Sequence, residues 1–427
     1  MGNLTSKRES SPFLVACNEC DAINRIDPTT LSTNAHCSRC GSLVYRGNGS
    51  VEKALAFSIA SCFLFVLSNC FPLLTLRAEG GLVQQCMFLS GSWEFFHNGM
   101  PMIGLLVFGT TFLFPSIYLL GLTYVLSAFY LGKKLWSVSY VFKVIIKIQP
   151  WSLLGIFMLG VLLSLVKLLD VASVVPGISI FSFAALLCTS LGSYHYFEPL
   201  QLYKPKPLKH EKAVFQRSQQ LKLWKARDLN LSCCPTCQSL EDDLDIQAKR
   251  SCSQCPSPML SRKPYSLQRT LAFVITAVIL LIPANLYPVM TFTEFGSGRS
   301  STIMGGVLQL LEDGLWPLGI IVFFASIAVP ISKLILLTYL VLSVHFKSCW
   351  RARDRTKLYQ ITEMMGAWSM VDIYLLGMLI AVVKFGILST VLPEVGGVFF
   401  AIAVVVMMLA SSSFDPRLIW DNLEKNG

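Results

Sequence analysis

Eight apolar runs, each near the length of a membrane-crossing helix, constrain this chain more than any other feature. They cover roughly Ala54–Leu76, Met102–Leu131, Trp151–Leu169, Ile178–Phe197, Thr270–Phe292, Leu315–Val344, Trp368–Leu388 and Val398–Ser413. About 20 apolar residues rising 1.5 Å each span the hydrocarbon core as a helix, with every backbone polar group satisfied internally. Only 14% of the 427 residues are charged, against 53% hydrophobic, where a soluble domain carries about 25% charged residues. That balance excludes a soluble enzyme, a disordered chain and a nucleic-acid binder. The net charge of +10 sits between the apolar runs, where it sets topology.

Basic loops resist translocation and stay in the cytoplasm. Lys133, Lys134, Lys143 and Lys147 follow the second run, and Lys347, Arg351, Arg353, Arg355 and Lys357 follow the sixth. The segment between the fourth and fifth runs is also basic. The loops after runs one and five hold one arginine each, Arg77 and Arg299. Both termini and the central segment are therefore expected in the cytoplasm. Lysine alternates with apolar residues from Lys133 to Gln149, which predicts an amphipathic helix on the cytoplasmic leaflet.

The chain repeats itself at an offset of about 216 residues. Asn69 and Pro72 recur as Asn285 and Pro288; Gly99, Gly104 and Pro115 as Gly314, Gly319 and Pro330; Trp151-Ser152 as Trp368-Ser369; Gly160 as Gly377; Lys167 as Lys384; and Phe197-Glu198-Pro199 as Phe414-Asp415-Pro416. An even number of spans per repeat gives both halves one orientation. The expected fold class is an all-α polytopic membrane protein, its eight transmembrane helices arranged as two parallel four-helix repeats. The expected divisions are a four-cysteine module in 1–50, the first four-helix repeat in 51–200, a linker with the second module in 201–265, and the second repeat with a short tail in 266–427.

Each module carries two C-x2-C pairs: Cys17, Cys20, Cys37 and Cys40, then Cys234, Cys237, Cys252 and Cys255. Two such pairs bring four thiolates to the corners of a tetrahedron, which suits Zn2+. Disulfides are disfavoured in the reducing cytosol. The intervening residues are few and polar, so metal binding would supply much of each module's folding energy. Four thiolates leave no open position for a substrate, which makes the site structural. Cys233 adjoins Cys234 but lacks the C-x2-C spacing. Cys62, Cys70 and Cys188 lie in apolar runs as packing residues.

Ionisable groups inside spans usually face a bundle interior or a watery cavity. Lys167 and Asp170 share a helix face at the end of the third run; Ser326 and Lys333 share one in the sixth. Ser369 and Asp372 open the seventh, and Lys384 lies further along it. Lys167 and Lys384 are near enough to span ends to snorkel. Lys333 and Asp372 are not, and are expected to have partners, each other if their depths match. The repeats diverge at these positions: Gly155 matches Asp372, Tyr118 matches Lys333 and Ile387 matches Asp170. One asymmetric polar cluster between two similar scaffolds is the expected result. Pro72, Pro115, Pro283, Pro288 and Pro330 are expected to interrupt helices where freed carbonyls can line a cavity. No G-x4-G-K-[ST] loop and no H-E-x-x-H occurs. Ser164 and Lys167 form an S-x-x-K pattern that is too common to imply a nucleophile.

The second half carries Tyr265-Ser266-Leu267-Gln268, Ile282-Pro283-Ala284-Asn285-Leu286-Tyr287-Pro288, Ala325-Ser326-Ile327-Ala328-Val329-Pro330 with Lys333, Trp368-Ser369-Met370-Val371-Asp372 and Phe414-Asp415-Pro416-Arg417-Leu418. With the two cysteine modules, these segments resemble the paraquat-inducible protein A family over nearly the whole chain. The resemblance implies a non-enzymatic protein of the bacterial inner membrane that passes lipid to or from a tunnel formed by a periplasmic MCE-domain protein. It also implies two cytoplasmic zinc ribbons and a polar network, which maps here onto Lys167, Asp170, Ser326, Lys333, Ser369 and Asp372. A buried Lys–Asp cluster would couple lipid movement to protons. A membrane anchor for the tunnel without a transport cycle is the alternative; a thiol oxidoreductase is the remoter one.

Overall fold

The structure is a computed structural model and describes residues 13–26, 33–47, 49–77, 83–132, 137–168, 173–202, 225–229, 231–242, 251–255, 257–259, 262–294, 297–312, 314, 316–366, 368–382 and 389–421. In chain order the first module holds β1 (Phe13–Ala16), β2 (Ile23–Ile26), β3 (Ala35–His36) and β4 (Leu43–Tyr45). Then come α1 (Val51–Cys70), β5 (Leu74–Arg77), β6 (Val83–Cys86), α2 (Ser90–His97), α3 (Pro101–Phe108), α4 (Phe114–Tyr130), α5 (Val138–Ile148), α6 (Leu154–Leu168), β7 (Ser173–Pro176), α7 (Ile178–Tyr196) and α8 (Pro199–Leu202). The second module holds β8 (Leu231–Cys233) and β9 (Leu240–Asp242). There follow α9 (Ser266–Leu286), β10 (Met290–Glu294), β11 (Ser297–Ser301), α10 (Ile303–Glu312), α11 (Trp316–Phe323), α12 (Val329–His345), α13 (Ala352–Met365), α14 (Val371–Val382), β12 (Ser389–Pro393), α15 (Val395–Ser413) and α16 (Leu418–Asp421).

Among the described residues, eight helical segments are long and apolar enough to cross a membrane: Val51–Cys70, Pro101–Tyr130, Val138–Val166, Ile178–Tyr196, Ser266–Leu286, Gly319–His345, Ala352–Val382 and Val395–Ser413. The first and fifth are shorter than their apolar runs. The first and fifth spans end before Pro72 and Pro288, and the apolar residues beyond pair as β5 and β10 instead, whereas Pro283, expected to interrupt a helix, stays inside α9. Two antiparallel sheets result, with strand orders β6-β5-β7 and β11-β10-β12. In register, Thr75 faces Gln85 and Val175, while Thr291 faces Ser300 and Leu392. Each sheet joins the loop after its first span to the loop before its fourth, so both sheets cap span ends remote from the cysteine modules. An expectation of helices alone overlooked them, because hydropathy does not distinguish an apolar strand from the end of an apolar helix.

Pro115 and Pro330 sit just past a π turn, Gly109–Leu113 and Phe324–Ala328. There the Phe114 N–H donates to the Gly109 carbonyl, and the Val329 N–H to that of Phe324. The wider turn absorbs the missing proline N–H and the ring's clash with the preceding turn. The third and seventh spans are broken, by a 3-10 turn at Gln149–Trp151 and another at Trp368–Met370. The expected amphipathic helix is α5; it buries Phe142 and Ile145 against Val125 of α4 and leaves Tyr140 exposed.

The two sets of spans meet where α14 packs on α6 and α2. A Cβ on Gly160 would stand 2.8 Å from Tyr374 Cβ, and one on Gly91 would stand 3.1 Å from the Gly377 carbonyl. Small residues allow this approach, and close packing drives helix association in lipid. Tyr374 Oη donates to Thr110 Oγ1 across the same seam at 2.8 Å.

Candidate functional site

The cysteine modules are built from four knuckles of one geometry. In each, the N–H of the leading cysteine donates to the carbonyl five residues on: Cys17 to Ala22, Cys37 to Ser42, Cys234 to Ser239 and Cys252 to Ser257. Asp21, Gly41 and Gln238, each following a second cysteine, adopt left-handed backbone with φ of 62°, 82° and 58°. The eight thiols expected from the spacing gather as two buried groups of four, with the Sγ atoms of each within 4.8 Å of one another. Their hydrogen-bond-length approaches are 3.5 Å for Cys17–Cys40 and Cys20–Cys37, 3.4 Å for Cys234–Cys255 and 3.6 Å for Cys237–Cys252. A tetrahedron with metal–sulfur bonds of about 2.3 Å places its sulfurs about 3.8 Å apart. All-sulfur donors at this spacing fit a structural metal ion in each module.

Hydrogen bonds from Cys17 and Cys20 hold the Cys37 thiol below its ordinary value, as those from Cys234 and Cys237 do for Cys255. Only a bound cation lets all four members of a group ionise together. Cys233 belongs to neither group. Its side chain packs between the modules with Leu14, Ala16 and Leu231, and burial pushes its thiol up to about 12.

The first module docks on the second half of the chain. Its core is continuous with Leu340, Val344, Tyr359, Phe414 and Trp420. Gln360 Nε2 donates to Ser42 Oγ at 2.9 Å, and Ser42 Oγ lies 3.0 Å from Cys40 Sγ. Arg262 bridges Asp21 at 2.8 Å and Asp421 at 2.9 Å. Burial opposes a charge on Asp415, but the Arg417 guanidinium and hydrogen bonds from Arg417 and the Lys263 N–H outweigh it and hold the carboxyl below its usual value.

The second candidate site is a partly open, apolar cleft of about 80 Å³ in the second half. It runs between α10, α14, α15 and the sixth span, with Val289, Met290, Ser301 and Thr302 at its sheet end and Ile103 of α3 on its wall. The lining is apolar except for a few groups, foremost Ser326 and Asp372. Ser326 Oγ donates to the Val322 carbonyl at 2.6 Å. Both Asp372 carboxylate oxygens, Ser369 Oγ and Lys333 Nζ are buried without a hydrogen-bond partner. Lys333 is fully buried.

The structure thus gathers Ser326 and Asp372 at one cleft, while Lys333 and Asp372 do not hydrogen-bond to each other as their expected pairing would require. Asp170 and Lys384 lie outside the described residues; Lys167 is placed by its backbone in the last turn of α6. The sequence reasoning missed the cleft's walls, yet the repeat held the signal. Ile303 and Leu310, which line the cleft, align with Phe88 and Phe95. In the first half Phe88 packs on Phe157 and Phe183 at ring distances of 4.8 and 5.2 Å. Phenylalanines thus stand at the positions that align with Ile303 and Leu310 of the cleft.

A family model for paraquat-inducible protein A matches residues 51–205 and 267–424. The chain belongs to the paraquat-inducible protein A family. The matched segments cover the eight spans, all but Ser266 of the fifth, and leave out both cysteine modules. The chain is 29% identical to a probable intermembrane transport protein of Haemophilus influenzae, over 97% of its length and 98% of the relative's. It is 27% identical to the intermembrane transport protein PqiA of Escherichia coli K12, over 95% of each. It is 26% identical to the lipophilic envelope-spanning tunnel protein A of the same strain, over 95% of this chain and 90% of the relative. No solved structure matches the chain significantly. Two of these relatives are named as intermembrane transport proteins, and the eight apolar helices of this chain fit a multi-pass membrane protein.

Proposed function

We propose that this protein is a non-enzymatic lipid transporter of the inner membrane that passes lipid to or from a periplasmic MCE-domain tunnel. The observation that carries this reading is the apolar cleft holding the buried Asp372 carboxylate beside Ser326. An apolar lining accepts acyl chains. An ionised carboxylate without a partner is costly in such surroundings, and a proton taken up there is the coupling step we assign. In this reading both termini lie in the cytoplasm and lipid exchange takes place at the sheet end of the cleft, on the periplasmic face; the basic loops after the second and sixth spans support that orientation. The two halves act as parallel four-helix repeats, the first an aromatic-filled scaffold and the second the lipid-handling unit.

Each cysteine group holds one structural Zn2+. The eight cysteines bind the ions, and the ions hold each pair of knuckles together. The polar network also includes Lys167, Asp170 and Lys384. The test is purification from membranes with the MCE partner, followed by mass spectrometry of bound lipid for the native protein and Asp372→Asn. Lipid in the native complex, with transport lost in an assembled Asp372→Asn complex, supports the transporter. Unchanged transport by Asp372→Asn would leave only an anchor.

A further inference from the structure

Lys333 enters from α12 and reaches the carboxyl-terminal end of α13. A Cβ built on Gly366, the residue that caps α13, would stand 2.7 Å from Lys333 Nζ. Gly366 has φ of −57° and ψ of −35°, ordinary right-handed helical values that any L residue adopts. Backbone conformation therefore gives no reason for glycine at this position. Its other near neighbours are the carbonyl oxygens of Glu363 at 3.2 Å and Thr362 at 3.8 Å, the usual approach of a helical Cβ to the preceding turn. The space that glycine leaves is taken by the ammonium group.

The same end of α13 has no basic residue in its last turn. Helix carboxyl-terminal carbonyls carry partial negative charge and favour a cation within a turn. Lys333 supplies that cation from a neighbouring helix; it makes no hydrogen bond, and the Glu363 carboxylate on the same turn of α13 attracts it as well.

We propose that Gly366 is a positioning residue for Lys333: its missing side chain lets the buried ammonium rest on the carbonyl end of α13. Any side chain at 366 displaces the ammonium rather than the helix, because the ammonium is the mobile end of a flexible stem. The helix carrying Gly366 also bears Gln360, which is bonded to Ser42 beside the first cysteine group. The first module thereby braces the element that places Lys333. The consequence for transport rests on the proposed function; the positioning itself does not.

The experiment is a double-mutant cycle with Gly366→Ala and Lys333→Ala in the full chain purified in detergent, read by thermal melting and by lipid transport. With Lys333 present, Gly366→Ala should lower the melting temperature. In the Lys333→Ala background the clash is gone, and Gly366→Ala should raise it, since alanine at a compatible position restricts the unfolded chain. This reversal of sign is the non-additivity expected of residues acting as one unit. A role of Gly366 in helix packing alone would lower the melting temperature equally in both backgrounds, and that result overturns the proposal. Transport by Gly366→Ala should fall to the level of Lys333→Ala. A reversal in melting with normal transport in both single variants would keep the positioning and overturn the use of Lys333 in transport.

Discussion

Gly91→Ala is the sharpest test of how the two sets of spans are joined. The added methyl would meet the Gly377 carbonyl carbon and oxygen, both at 3.1 Å. These are backbone atoms inside α14, so no side-chain rotation relieves the overlap. Phe95, one turn further along α2, packs on the same glycine, lying 2.9 Å from where a Cβ on Gly377 would stand. Helix α2 must therefore back away from α14 and open the seam. Overpacking of this kind costs about 1–3 kcal/mol. Two further glycines calibrate the result. Gly155 has nothing within 4 Å of its would-be Cβ, so Gly155→Ala should stabilise by about 0.4–1 kcal/mol. Gly306, the repeat counterpart of Gly91, has only Met290 Cε at 3.9 Å and should tolerate alanine. Thermal retention of the monodisperse peak in detergent ranks the three: Gly91→Ala below the native protein, Gly306→Ala near it and Gly155→Ala at or above it. If Gly91→Ala melted with Gly155→Ala, the close seam between α2 and α14 would be refuted.

Further expectations concern the modules. Cys20→Ser and Cys237→Ser each remove one thiolate from a closed four-sulfur group, so metal analysis should show one ion fewer per chain and membrane yield should fall; Cys233→Ser should keep its full metal content. Asp415→Asn removes an acceptor of charged hydrogen bonds and should cost about 1.5–3 kcal/mol at neutral pH. Because the folded state holds the Asp415 carboxyl below its ordinary value of 3.8, its stabilisation is complete above that pH and lost as the pH falls below it. Melting curves between pH 3 and 7 should show that loss in the native protein and not in Asp415→Asn, within about the same pH range.

Much of the architecture was legible because membrane helices obey a length rule and metal knuckles obey a spacing rule. The eight spans and the eight clustered thiols follow from those two patterns. The ends of the first and fifth spans were not legible, since Leu74 and Met290 are apolar whether helical or paired in a sheet; Pro72 and Pro288 were the available markers. Docking of the first module on α13 and α16 is non-local. Arg262 and Asp21, which make its ion pair, stand 241 residues apart, and no local pattern links them. Lys333 and Asp372 make no hydrogen bond to each other for a related reason. Helical spacing places each residue on a face, but α13, inserted between the sixth span and α14, offers Lys333 its carboxyl-terminal end instead. Gly366 was invisible in sequence because a glycine at a helix end ordinarily signals left-handed backbone, and here it marks occupied space.

The central claim is that lipid enters the second half at the Asp372 cleft and not the first. Site-specific photocrosslinking to phospholipid tests it directly, with the photoreactive residue placed in membranes at Leu310 or at its repeat counterpart Phe95. Both side chains are buried, but only Leu310 lines the cleft. A phospholipid adduct from position 310 and none from position 95 is the predicted result. Equal adducts at both positions, or none at 310 in an actively transporting protein, would contradict it.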